Sequence, residues 1–169
     1  MNTPYTADDV DDLYRSIGRC VWHLQHLDNV VFTFTTLIDL DEFKSRGEKV
    51  TEALARETRA KQRKLTLGPL IAEAKRKGSI SPAMSERFDA LLAERNWLIH
   101  RCVIDEYLAL RGPTSRANFF RRLDAFEEMT IALRGQVATM LEDWYQRAGY
   151  DRALADAIAV RALHDAGDR

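Results

Sequence analysis

With 169 residues, 46% of them hydrophobic, the chain can close one ordinary core but is short for two independent domains, so a single domain over 1–169 is expected. Lysine and arginine number 25 against 26 acidic residues, which excludes a broad basic surface; any RNA contact has to be local. The two cysteines, Cys20 and Cys102, sit in apolar helical patterns outside any C-x-x-C or Cys/His cluster, and no uncharged apolar run approaches the roughly 18 to 20 residues of a membrane span. The opening MNTPYTADDVDD is acidic where a secretory signal is basic and then apolar, so a cytoplasmic protein without membrane contact is expected.

Four prolines and eight glycines, with most other residues at helical spacing, predict an all-α fold of about five to six helices. Thr6 followed by Ala7-Asp8-Asp9 starts the first. Its apolar face carries Ile17, Cys20, Val21, Leu24, Leu27, Val31, Phe34 and Ile38. Val30 to Thr36 is β-branched and alternating, yet the helical spacing runs through it, so it is read as helix. Ser45-Arg46-Gly47 ends this segment, and a polar helix over about 48–64 follows.

Thr66-Leu67-Gly68-Pro69-Leu70-Ile71 opens a short helix that stops near Gly78. Ser81-Pro82 then opens a central helix expected to run to about Leu110. Arg111-Gly112-Pro113 is the clearest break, with Thr114 or Ser115 placed to cap the next helix. That long helix carries Phe119, Leu123, Phe126, Met129, Leu133, Val137, Met140, Leu141 and Trp144. The core thus covers about 10–147, and a weakly amphipathic helix is expected over about 151–163.

The central helix carries the chemistry. At 100° per residue, with Phe88 as zero, Met84, Leu91, Leu92, Leu98, Ile99, Cys102 and Val103 form its expected buried stripe, and Arg95 falls at about −20° within it. A guanidinium there needs a carboxylate, a set of acceptors or an anionic ligand. Asp28, on the apolar side of the first helix, is the available carboxylate. Two readings stay open: an Arg95–Asp28 core ion pair, and an arginine that opens onto an anionic ligand. Asn96 and His100, four apart at about +80° and +120°, lie on the margin of the stripe, where a side chain can be part buried and part wet. His100 suits acid–base work near neutral pH.

Trp97 falls at about 180°, opposite the stripe, so something must cover it. Trp22 and Phe32 are also off the main face of their helix. A second copy of the chain is the preferred cover, with crowded packing inside one chain as the competing account. His23 and His26 lack further ligands at sensible spacing and read as ordinary helix-surface residues, so no metal or cofactor is expected. Tyr107, on the side of Asn96 and His100, is a weak further candidate.

Arg95-Asn96-Trp97-Leu98-Ile99-His100 resembles the R-x4-H signature of the HEPN superfamily. The order of a long first helix, the Thr66 to Ile71 segment, a proline-started helix ending in the signature and a long final helix resembles bacterial HEPN proteins over about residues 10–147. The resemblance implies an antiparallel helical bundle that dimerises and brings two motifs into one cleft. It also implies a metal-independent endoribonuclease, in a toxin or phage-defence setting with an antitoxin or operon partner. Arg95 would bind the scissile phosphate, Asn96 would position it, and His100 would be the general acid or base. Toxin members controlled by a nucleotidyltransferase carry a tyrosine two residues after the histidine, where this chain has Cys102. The competing reading is a non-catalytic HEPN module, binding a nucleotide or serving as an adaptor subunit.

Overall fold

The computed structural model describes residues 6–102, 104–105 and 112–149. Five helices are present among them and no strand: α1 (Ala7–Ser45), α2 (Glu52–Gln62), α3 (Leu67–Arg76), α4 (Pro82–His100) and α5 (Pro113–Arg147). The chain is an all-α helical bundle, as its periodicity predicts. The helix expected over 151–163, Tyr107 and the stretch leading to Leu110 lie outside the described residues.

Local chemistry explains most boundaries. Thr6 and Asp9 form a reciprocal capping box at the start of α1, satisfying two otherwise orphaned amides. The β-branched run stays helical because its hydroxyls turn back on the helix: Thr33, Thr35 and Thr36 donate to the carbonyls of Asn29, Val31 and Phe32 at 2.9, 3.0 and 2.8 Å. Thr35 and Thr36 are thereby buried without an unmet donor. Gly47 at φ 79° and Gly78 at φ 63° reverse the chain after α1 and α3 in the left-handed region. The Ser81 hydroxyl caps Met84 N with Pro82 in the first turn of α4. At α5 the cap is Gly112, followed by Pro113, while Thr114 and Ser115 fall inside the first turn.

The frame is set by α1 and α5, which lie side by side and run in the same direction. Arg116 donates to Asp9, the Cys20 thiol to the Leu123 carbonyl, Arg19 to Glu127 and Trp144 to Asp41. These pairs are 107, 103, 108 and 103 residues apart, and a near-constant offset means parallel axes. Arg122 with Glu94, and Phe119 with Trp97, run the opposite way, so α4 is antiparallel to both long helices. The core lies between them, around Leu13, Leu27, Phe88, Leu91, Leu123 and Phe126.

One boundary departs from expectation in a way that matters for the site. The central helix stops at His100, with Arg101 at φ −126° and ψ −16°, short of Leu110. The indole of Trp97 donates to the carboxylate of Asp105 at 2.5 Å. In a continuous helix these two residues would be separated by about 12 Å of rise. The chain breaks at Arg101 and is helical again at Cys102, Ile104 and Asp105, which sets Asp105 against the Trp97 ring edge and leaves His100 at the end of α4.

Candidate functional site

Arg95, Asn96 and His100 come from the last two turns of α4. Its buried side, made by Met84, Phe88, Leu91, Trp97 and Leu98, is rotated away from Ile99, which is 49% exposed where the wheel placed it in the stripe. The rotation follows from α5, which packs on the Trp97 side. Arg95 is half-buried, while Asn96 and His100 are exposed. The Arg95 Nη1 donates to Asn96 Oδ1 at 3.2 Å, so the two neighbours are joined at their heads.

Asp28 and Arg95 are close enough to interact but are not closed into an ion pair. Asp28 is half-buried, and its Oδ1 is buried without a hydrogen-bond partner. Burial raises the Asp28 pKa above the ordinary carboxylate value, and the charge of Arg95 opposes that rise. Arg95 therefore holds a polar neighbour in Asn96 and faces a carboxylate across a gap.

Behind the motif is a cluster that pattern reading did not identify. Glu94, immediately before Arg95, accepts from Arg122 through both oxygens at 2.7 and 3.1 Å. The Arg122 guanidinium lies 3.8 Å over the Trp97 ring and 3.8 Å from the Asp105 carboxylate, and Phe119 meets Trp97 edge-on at 5.7 Å. Trp97 is covered within its own chain and needs no second copy. Its position opposite the stripe was the available signal that a cover existed; nothing in the spacing named Arg122. Trp22 is different: it is 54% exposed, with His26 tilted against it at 4.0 Å. Phe32 is half-buried beneath Arg63.

The remaining candidates are structural. His23 is not a plain surface residue, because it is half-buried with Nε2 3.2 Å from Glu127. No group of three or more histidine, cysteine or acidic side chains arranged for a metal occurs among the described residues. Burial pushes the Cys20 thiol up to about 12, which suits packing and not nucleophilic attack. A groove of about 470 Å³ lies at the far end of the molecule, between Phe34, Ile38, Met140 and Trp144. Neither it nor a smaller neighbour at Asp143, Gln146 and Arg147 includes Arg95, Asn96 or His100. No described helix is long and apolar enough to cross a membrane.

No protein-family model, curated protein or solved structure matches the chain significantly. Chemically, the α4 end offers a guanidinium held by an amide, able to take an anionic oxygen, and an open imidazole able to give or accept a proton.

Proposed function

We propose that this chain is a HEPN-type endoribonuclease, with Arg95, Asn96 and His100 as its catalytic group and a cytoplasmic toxin or phage-defence role as its setting. The observation that carries the reading is the state of Arg95. It is half-buried, hydrogen-bonded to Asn96 and in salt-bridge contact with no described carboxylate, while His100, five residues on, is open to solvent. A purely structural arginine in that position would be closed onto Asp28.

In the proposed reaction the RNA 2′-oxygen attacks the adjacent phosphorus and the bond to the 5′-oxygen breaks. The products are a 2′,3′-cyclic phosphate and a 5′-hydroxyl. One proton leaves the 2′-hydroxyl and one arrives at the departing oxygen, so a base and an acid are both required. Arg95 offsets the charge that builds on the phosphate. One copy supplies one His100, and across five residues Arg95 and His100 are separated by about 140° and about 7.5 Å of rise. A second copy facing the α4 end would bring a second Arg95 and His100 into the same site. Exposed Ile99, beside the motif, supplies apolar area for that contact.

A second reading is a non-catalytic HEPN module that binds a nucleotide or joins a complex, which needs only the Arg95–Asn96 pair and no acid–base group. The test compares wild type and His100→Ala on mixed RNA with a chelator present and reads the new ends. Cleavage by wild type alone, leaving cyclic phosphates, supports the nuclease. Equal cleavage by both proteins overturns the assignment of His100, and cleavage by neither favours the adaptor module.

A further inference from the structure

A half-buried carboxylate with an unmatched oxygen is under pressure to find a partner: a proton, a water or a cation. On α1 the residues one turn away are Leu24, Gln25, Val31 and Phe32. At the end of α2, Arg63 lies over the Phe32 ring at 6.0 Å. From α4 the facing charge is Arg95, whose field is the one that acts on the Asp28 carboxyl. Among the described residues Arg95 thus has Asn96 in contact, Asp28 across a gap, and no salt bridge.

We propose that Asp28 is a positioning residue that competes with an RNA phosphodiester for the Arg95 guanidinium, so that phosphate binding is coupled to proton uptake at Asp28. This deepens the nuclease reading and rests on its assignment of Arg95 to phosphate. Ionised Asp28 draws the guanidinium inward, toward α1. A phosphodiester anion draws it outward and adds a second negative charge to the same site. Two anions then share one cation, and the half-buried one, which water solvates less well, is the one that takes a proton. Burial already biases Asp28 toward its protonated form. By reciprocity, whatever protonates Asp28 strengthens phosphate binding.

The sign follows directly. Affinity for a phosphodiester rises as pH falls, and replacing Asp28 with a neutral isostere removes that part of the dependence by tightening binding at the high-pH end. The test is made in His100→Ala protein, which takes that imidazole out of the comparison and leaves RNA uncut.

The probe is a short, mixed-sequence, fluorescently labelled 2′-O-methyl RNA, whose diester groups do not titrate between pH 5 and 8. Binding is followed by anisotropy across that range for His100→Ala, His100→Ala/Asp28→Asn and His100→Ala/Arg95→Ala. Asp28→Asn should bind about fivefold or more tightly than its parent at pH 8, and the two should converge toward pH 5. Arg95→Ala should lose both the affinity and the difference. An Asp28→Ser variant, shorter and unable to mimic an amide, repeats the comparison should the asparagine disturb folding.

Equal pH slopes with and without Asp28 overturn the proposal even where wild type cleaves RNA. Binding by the parent that survives Arg95→Ala unchanged, or no binding by the parent at any pH, overturns it together with the phosphate role of Arg95. A slope that depends on Asp28 in a protein that never cleaves RNA upholds it and removes only the nuclease.

Discussion

The guanidinium of Arg122 lies 3.8 Å above the ring of Trp97, and this contact holds the last turn of α4 against α5. Arg122 also holds Glu94 with two hydrogen bonds and approaches Asp105, so one side chain of α5 ties together the residues on either side of Arg95 and the segment after His100. Arg122→Ala should cost about 1–2 kcal/mol. The cation–π contact onto a buried indole provides most of this, and the partly exposed Glu94 pair adds little after screening. Urea denaturation monitored by tryptophan fluorescence reads the loss. A change within error of zero would mean that the packing of Trp97 on Phe119 suffices alone.

At the opposite end, Lys77 closes a second network. Its side chain is 6% exposed, donates to Asp39 and Glu42, and lies 3.5 Å from Glu73; Asp39 in turn accepts from Gln62 at 2.7 Å. Burial pushes the Lys77 pKa down, but the hydrogen bonds to Asp39 and Glu42 outweigh it and raise it overall. Lys77→Met preserves most of the volume but leaves Asp39 buried without its cation. Losing one partner of a buried pair typically costs about 3–5 kcal/mol, so the variant should melt well below wild type. Asp39→Asn/Lys77→Met should recover a large part of that loss, and a double variant no better than the single would sink the account.

The contrast between these two networks shows how far the sequence could be read. Periodicity and capping residues disclosed α1, α3 and α5 and the start of α4, because Thr6, Ser81 and Gly78 act within a few residues of themselves. The end of α4 was not legible. Its break depends on Asp105 reaching back to Trp97, a tertiary contact with no local signature. Arg95 was found because its place on the wheel conflicts with its charge, whereas Glu94, Arg122 and Lys77 look like ordinary surface charges until α5 and α1 are placed against them. The wheel also made Ile99 too deep, since it assumed a stripe centred on Phe88 when α5 draws the buried side toward Trp97.

Asp28 gives a pH-dependent stability with a definite sign. Burial raises its pKa on folding, in spite of Arg95, so folding favours the protonated carboxyl. The associated stability is fully present below the unfolded value of about 3.9 and is lost as pH rises through the folded value. Asp28→Asn, which cannot ionise, should therefore be more stable than wild type at pH 7 and equal to it near pH 3. Thermal midpoints measured across that range check it. A variant less stable at pH 7 would show that ionised Asp28 is held by Arg95 more strongly than burial opposes it.

The composite site makes the most demanding prediction, because it requires two damaged proteins to repair each other. If the phosphate is held by Arg95 of one copy and the proton is moved by His100 of the other, Arg95→Ala and His100→Ala proteins are each inactive alone. Mixing them, with subunit exchange, creates heterodimers whose shared cleft keeps one Arg95 and one His100, from different copies. Statistical pairing makes about half of the dimers such hybrids, so activity should return, at no more than about half of the parent rate. Ile99→Asp, placed at the exposed α4 end beside the motif, should block the recovery by putting an unpaired charge in the contact while leaving the fold intact, since its parent side chain is 49% exposed. Recovery that survives Ile99→Asp would move the contact elsewhere on the molecule. No recovery between two proteins that demonstrably exchange subunits would place Arg95 and His100 of one chain in the same site.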